Sequence, residues 1–322
     1  MASKNMNESG KVTLRKIYYS ITVIYKLLKE ILRNKPDLCY IALTTTGAAL
    51  IRDLIIISLL RILNIKRVYH LHNKGVYTNS KNAIKRTIYK SIFKDAYTIL
   101  LSKNLYQDIS DYIDFKKVFI CPNGIKEFCP PVSKGSGTIP NILFLSNLIE
   151  AKGVYILIEA CKVLAQKNIA FTCTLAGAEG DVTKKILDRM IQKHGLSDKI
   201  EYVGLKVGEE KSELFLTADI FTLPTYYSSE CFPLVLLEAM QSKLPIISTY
   251  EGGIPDIIDD GITGFLVPQK NVDLLAQKLE LLINNESLRT EMGEAGLEKY
   301  KGSFTFDTFE SSLSKILTLL SK

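Results

Sequence analysis

The chain has 322 residues, with 41 Lys+Arg against 34 Asp+Glu, for a net charge of +7. At about 100–200 residues per domain, that length supports two domains. With 47% apolar and 23% charged residues, wholesale disorder is excluded. The six cysteines (Cys39, Cys121, Cys129, Cys161, Cys173, Cys231) include no C-x-x-C pair and no histidine cluster accompanies them. Their spacing argues against a zinc site or a disulfide framework and favours free thiols in a reducing cytoplasm. The opening Met1–Gly10 is polar, so no secretory leader is expected. Arg52, Asp53 and Arg61 break the apolar run 50–63, which is also shorter than the roughly 20 residues of a spanning helix.

The elements alternate along the chain. Apolar residues at helical spacing (Leu14, Ile17, Ile21, Ile24, Leu28, Ile31) predict an amphipathic helix over 11–33, ended by Asn34-Lys35-Pro36-Asp37. Strand 38–43, helix 48–63, strand 67–71, helix 82–93, strand 96–101, helix 103–112 and strand 117–121 follow. Four prolines and three glycines between Pro122 and Pro140 mark an interdomain linker. A second series comprises strand 141–145, helix 154–166, strand 170–175, helix 181–194, strand 200–203, helix 209–216, strand 219–223, helix 233–241 and strand 245–248. Strand 264–267 and helices 272–283, 286–299 and 305–320 complete it. Such alternation predicts parallel sheets with right-handed crossovers. The expected fold class is α/β, with two doubly wound Rossmann-like domains facing across a cleft. Their expected limits are 1–137 and 138–303, with a last helix over 304–322 packing back on the first domain.

Charge follows the same division. Residues 1–137 carry 23 basic and 9 acidic side chains, a balance of +14, whereas residues 138–322 balance at −7. The basic half predicts an anionic partner or membrane surface, or else solvated Lys-rich helix faces. Its aromatics form no basic-interleaved recognition motif, so nucleic acid is not an expected partner.

The chemistry concentrates in the second half. In Ser229-Glu230-Cys231-Phe232-Pro233-Leu234-Val235-Leu236-Leu237-Glu238, two carboxylates stand eight positions apart, the second inside a helix that Pro233 opens. Amides near Leu234 and Val235 at that helix start are suited to a diphosphate. Surface glutamates at this spacing are common, so context decides. Gly252-Gly253 precede a short helix and allow backbone amides to approach a phosphate. The loop Ser146–Gly153 follows the first strand of the second domain and carries Lys152-Gly153.

These segments, with Pro122-Asn123-Gly124, Gly252-Gly253-Ile254-Pro255 and Asp260-Gly261-x-Thr263-Gly264, resemble the family 4 retaining nucleotide-sugar glycosyltransferases of GT-B fold. The resemblance covers nearly all of residues 117–268 and is weaker in the first domain. It implies that Glu230 contacts the donor sugar, that Glu238 binds the nucleotide ribose and that Lys152 neutralises the diphosphate. It further implies donor contacts from Ser146, Asn147, Gly204, Phe232, Pro233, Leu234, Val235, Gly252 and Gly253. Asn147 stands where relatives usually carry a second basic residue. In Tyr69-His70-Leu71-His72-Asn73, His72 matches a histidine that the family places beside the donor sugar and acceptor, which makes it and Glu230 the expected catalytic pair. His70 is expected to face away and be structural, and His194 has no expected role.

The resemblance implies a UDP- or GDP-sugar donor, a carbohydrate or lipid-linked acceptor, no metal or other cofactor, and work in cell-surface polysaccharide or glycolipid synthesis. The expected location is cytoplasmic, peripheral on the inner face of the membrane. Family members open with a strand and a glycine-rich loop, and no such pattern precedes Lys11. Two other readings therefore stand beside a transferase. One is a non-catalytic nucleotide-sugar binder or partner subunit, and the other is a sugar-nucleotide epimerase.

Overall fold

The computed structural model describes residues 14–127 and 139–322, so the middle of the expected linker, Cys129 included, lies outside the described residues. The chain forms two compact units, Met1–Cys121 with Ser311–Lys322, and Pro122–Glu310.

The first unit contains α1 (Leu14–Arg33), β1 (Leu38–Leu43), α2 (Gly47–Ile62), β2 (Lys66–Leu71), α3 (Val76–Asn79), α4 (Ala83–Phe93), β3 (Tyr97–Leu100) and β4 (Val118–Ile120). Its strands are all parallel, in the order β1-β2-β3-β4. The inner face of α1 places Leu27 and Ile31 in a cluster with Ile56 and Leu60 of α2 and with Ile41 of β1. Asn82 starts α4 because its side chain accepts from the amides of Ile84 and Lys85. The predicted helix 103–112 is instead a 3₁₀ segment over Lys103–Asp108. Asn104, Asp108, Ser110 and Asp111 favour caps and turns over helix interiors. Asp108 is used elsewhere: its carboxylate accepts from the amides of Gly75, Val76 and Tyr77 and fixes the loop that follows β2.

The second unit contains β5 (Asn141–Leu145), α5 (Val154–Gln166), β6 (Thr172–Ala176), α6 (Lys184–Lys193), β7 (Ile200–Tyr202), α7 (Glu209–Thr217), β8 (Ile220–Leu223) and α8 (Leu234–Gln241). It continues with β9 (Ile246–Thr249), α9 (Ile254–Ile257), β10 (Gly264–Val267), α10 (Val272–Ile283) and α11 (Glu286–Ser303). The last helix, α12 (Phe306–Ser321), enters the first unit with its residues from Ser311 onward, where the Lys66 amine donates to the Leu320 carbonyl at 2.7 Å.

The six parallel strands of the second unit run β10-β9-β8-β5-β6-β7. Strand order therefore reverses between β5 and β8, which pair through Ile142 with Ile220 and Leu143 with Phe221. β8, β9 and β10 are buried along their whole length, as sheets covered on both faces require. Their hydroxyls are satisfied inside the sheet: Thr222 donates to the Ile247 carbonyl, Ser248 to Leu223 and Thr249 to Thr225. Among the described residues no helix is long and apolar enough to cross a membrane.

Candidate functional site

In open parallel sheets a ligand crevice lies beyond the carboxyl ends of the strands where their order reverses. In the second unit that point lies beyond β5 and β8. The loop after β5 turns through a 3₁₀ segment, Glu150–Lys152, into Gly153 at φ 91° and then α5. Gly153 is required there, because a Cβ would collide with the carbonyl of Pro224, just past β8. Tyr226 adds a backbone hydrogen bond to Ala151 at 2.7 Å, so the two loops are tied together. Across this seam the Lys152 amine meets the Glu230 carboxylate at 2.5 Å and lies 5.0 Å from the centre of the Tyr227 ring. Glu230 is buried, with a side chain only 9% exposed.

From Glu230 the chain passes buried Cys231, Phe232 and Pro233 into α8. The Phe232 ring meets Phe304 edge to face at 5.9 Å, anchoring the entry to the helix. Among the described residues no carbonyl accepts from the first-turn amides of Leu234 and Val235. Glu238 stands three and four residues after them, on the same helix face. Its carboxylate takes the Lys211 amine at 2.5 Å. The paired glycines lie against this segment: Gly253 donates to the Cys231 carbonyl at 2.7 Å, and the amide of Gly252, at φ 56°, donates to the Glu251 carboxylate. A Cβ on Gly252 would strike the Glu230 carbonyl. The glycines thus allow close approach to the Glu230 backbone, and both of their amides are engaged within the chain.

Ser146 and Gly204 lie past the ends of β5 and β7, which flank β6, and are joined through the end of β6 at Ala176 and Gly177. The Ser146 amide donates to Ala176, and the Gly177 amide donates to the Gly204 carbonyl at 2.9 Å. Asn147 is exposed on the loop, its carbonyl accepting from Ile149. Three contributors escape the sequence reading: Gly177, Lys211 and Glu251, which is buried and held by Gln269 at 2.5 Å. Gly177 alone left a signal, as a glycine directly after a strand. A hollow of about 660 Å³ opens elsewhere, between α5 and α6, lined by Glu159, Gln166 and His194. None of the expected site residues lines it, and His194 there pairs with Glu159 at 2.9 Å.

His72 lies in the first unit, just past β2, and is partly exposed. The expectation that His70 faces away from it is overturned. Alternate strand residues share a face, and the two rings are 4.1 Å apart. His70 is fully buried, with Nδ1 2.7 Å from the Tyr40 hydroxyl. Burial, with a smaller contribution from His72, pushes the His70 pKa down to about 3, and partial burial of the ring lowers that of His72. An unfolded histidine titrates near 6.5. The stability held by neutral His70 is therefore complete above pH 6.5 and falls as the pH drops toward 3, because only the unfolded chain takes up the proton. At pH 5 the loss is about 2 kcal/mol. Denaturant unfolding at pH 7.5 and 5.0 should show it in the wild type and less of it in His70→Phe. An equal pH response in both would remove His70 as the cause.

Comparison with known proteins identifies the family and the fold. The profile of the family "Glycosyl transferases group 1" matches residues 126–299. The chain is 33% identical over 183 residues to the amylovoran biosynthesis glycosyltransferase AmsK of Erwinia amylovora, covering 56% of this chain and 44% of AmsK. It is 30% identical over 264 residues to the uncharacterized glycosyltransferase MJ1178 of Methanocaldococcus jannaschii, covering 80% of this chain and 70% of that protein. It spans about half the length of several relatives, including 48% of WcaL of Escherichia coli. Among solved structures, a glycosyltransferase from Rickettsia africae superposes with a TM-score of 0.78 at 20% identity, over 97% of this chain and 84% of the other. HepE of Anabaena, in complex with UDP, gives 0.76 at 18% identity over 92% and 82%, so the GT-B fold is shared. With a family profile over more than half of its length and MJ1178 matched along most of it, the chain belongs to the group 1 glycosyl transferases.

Proposed function

We propose that the protein moves a sugar from a UDP- or GDP-sugar to an acceptor hydroxyl with retention of configuration, in the synthesis of a cell-surface polysaccharide or glycolipid. The observation that carries this reading is the meeting of Lys152 and Glu230 where strand order reverses, in a chain of this family. A donor diphosphate competes with Glu230 for the Lys152 amine. As the bond to the anomeric carbon breaks, Lys152 and the amides of Leu234 and Val235 stabilise the charge gathering on the departing diphosphate. That stabilisation comes from positioned charge and dipoles and needs no metal step. Glu230, released from Lys152, accepts from sugar hydroxyls, and Glu238 accepts from the ribose. For His72 we propose contact with the sugar or acceptor, on family resemblance alone. HepE has been crystallised with UDP-glucose, which favours uridine as the first donor to try.

The test is thermal shift with UDP, GDP, ADP and their sugars, followed by assay of donor hydrolysis and transfer. The expected result is stabilisation by one base series and slow release of free sugar. Binding without any turnover would overturn the transferase reading in favour of a binder, and no binding would overturn both.

The acceptor side rests on the first unit. On α1, Tyr18, Ile21, Tyr25 and Leu32 are 60–77% exposed and fall on one helical face, beside Lys26, Lys29 and Arg33. Apolar residues flanked by basic ones suit an anionic bilayer bearing a lipid-linked acceptor. Salt-sensitive pelleting with acidic but not neutral vesicles is expected, and equal pelleting with both would refute it.

A further inference from the structure

We infer that Lys211 and Glu238 act as one unit that reads the ribose of the donor as a diol, making Lys211 a positioning and specificity residue of this site. The inference rests on the proposed donor function. Lys211 is the third residue of α7, in a first turn that otherwise carries Glu209 and Glu210. A cation there opposes the helix dipole, which favours negative charge at that end. Glu210 is already taken by Lys206 at 2.6 Å. The Lys211 amine reaches instead to Glu238 on α8, 27 residues away in sequence, with both side chains more than two-thirds withdrawn from water.

Lys211 occupies only Oε1 of Glu238, and among the described residues no hydrogen bond engages Oε2. Oε2 is therefore open to accept from a ribose hydroxyl. An ammonium has three protons, so Lys211 keeps two after bonding Glu238. A hydroxyl placed at the pair can donate to Glu238 and accept from Lys211 at once. One carboxylate without the lysine would accept from a hydroxyl yet offer nothing to its oxygen. A site built to pair with a hydroxyl in both senses penalises the analogue that lacks it, because its own polar groups are left unmatched.

The experiment is calorimetric titration of the full chain with UDP, GDP and ADP, then with the 2′-deoxy and 3′-deoxy forms of whichever binds. Wild type is expected to prefer the ribonucleotide over at least one deoxy form by about ten- to a hundredfold. Lys211→Met should weaken the ribonucleotide and shrink that ratio several-fold, and Lys211→Arg should restore most of it. Lys301→Met, which removes only an exposed pair with Glu298, controls for net charge. A Lys211→Met protein that keeps the wild-type ratio would overturn the inference while leaving the donor site intact. If Lys211→Met does not fold, a wild-type ratio in folded Lys211→Gln would overturn it equally. Wild type that binds no nucleoside diphosphate would overturn the donor reading, and this inference with it.

Discussion

Replacing Lys152 with methionine is expected to cost about 3–5 kcal/mol of stability, because it strands the Glu230 carboxylate in a buried position without its partner. Methionine keeps most of the side-chain volume, so lost packing contributes little. Adding Glu230→Gln should recover most of that loss, since a neutral amide is far cheaper to bury than a lone carboxylate. Ligand binding should not recover. The single and double variants are both expected to bind the diphosphate at least tenfold more weakly while binding the bare nucleoside as the wild type does. Denaturant unfolding followed by circular dichroism, paired with titrations of UDP and uridine, separates the two effects. Equal losses for both ligands would remove Lys152 from the diphosphate, and an unchanged midpoint would show that Glu230 finds another partner. Glu230→Gln alone should bind nucleotide and lose turnover.

Gly252→Ala should be comparably damaging by a different route. At φ 56° any Cβ is strained, and at this position it would also press on the Glu230 carbonyl. Conformational strain of about 1–2 kcal/mol and overpacking of about 1–3 add to a loss of roughly 2–5 kcal/mol. For a unit of this size that is a fall of roughly 5–15 °C in melting temperature. Gly261→Ala isolates the first contribution, because Gly261 has φ 79° with open space around its would-be Cβ. The gap between the two variants measures the collision with Glu230. Gly252→Ala should also lose donor binding, by moving the carboxylate away from Lys152. If the two variants melted together, the close approach would carry no energy.

Local pattern was readable where one residue type settles the matter. β5, α5, β10 and α10 fall where hydrophobic runs and their flanking breakers predict. Lys152 and Glu230 were visible as residues with a family pattern around them. Their direct pairing was not, because it depends on β8 lying beside β5, and strand order in a parallel sheet leaves no local trace. Helix starts were harder. The predicted helix over 181–194 begins only at Lys184, because Asp181 turns to accept the Glu150 amide. The two-residue spacing of His70 and His72 puts both rings on one face, against the expectation that His70 faces away. Lys211 was unreadable: a lysine in a polar first turn looks like any solvated surface residue until α8 supplies its partner.

The reversal of strand order between β5 and β8 has a consequence for biosynthesis. The two residues of the central ion pair are separated by 78 positions, and of the three strands between them β6 and β7 extend the sheet on the far side of β5, leaving only β8 to pair with its other edge. A ribosome adding about 5–20 residues per second completes β5, β6 and β7 before β8 is made. During that interval one edge of the nascent sheet, along β5, has no neighbour. Unpaired parallel edges are slow to fill and prone to wrong association. Chaperone demand and misassembly should therefore peak for nascent chains ending between β7 and β8, and should fall once α8 has emerged.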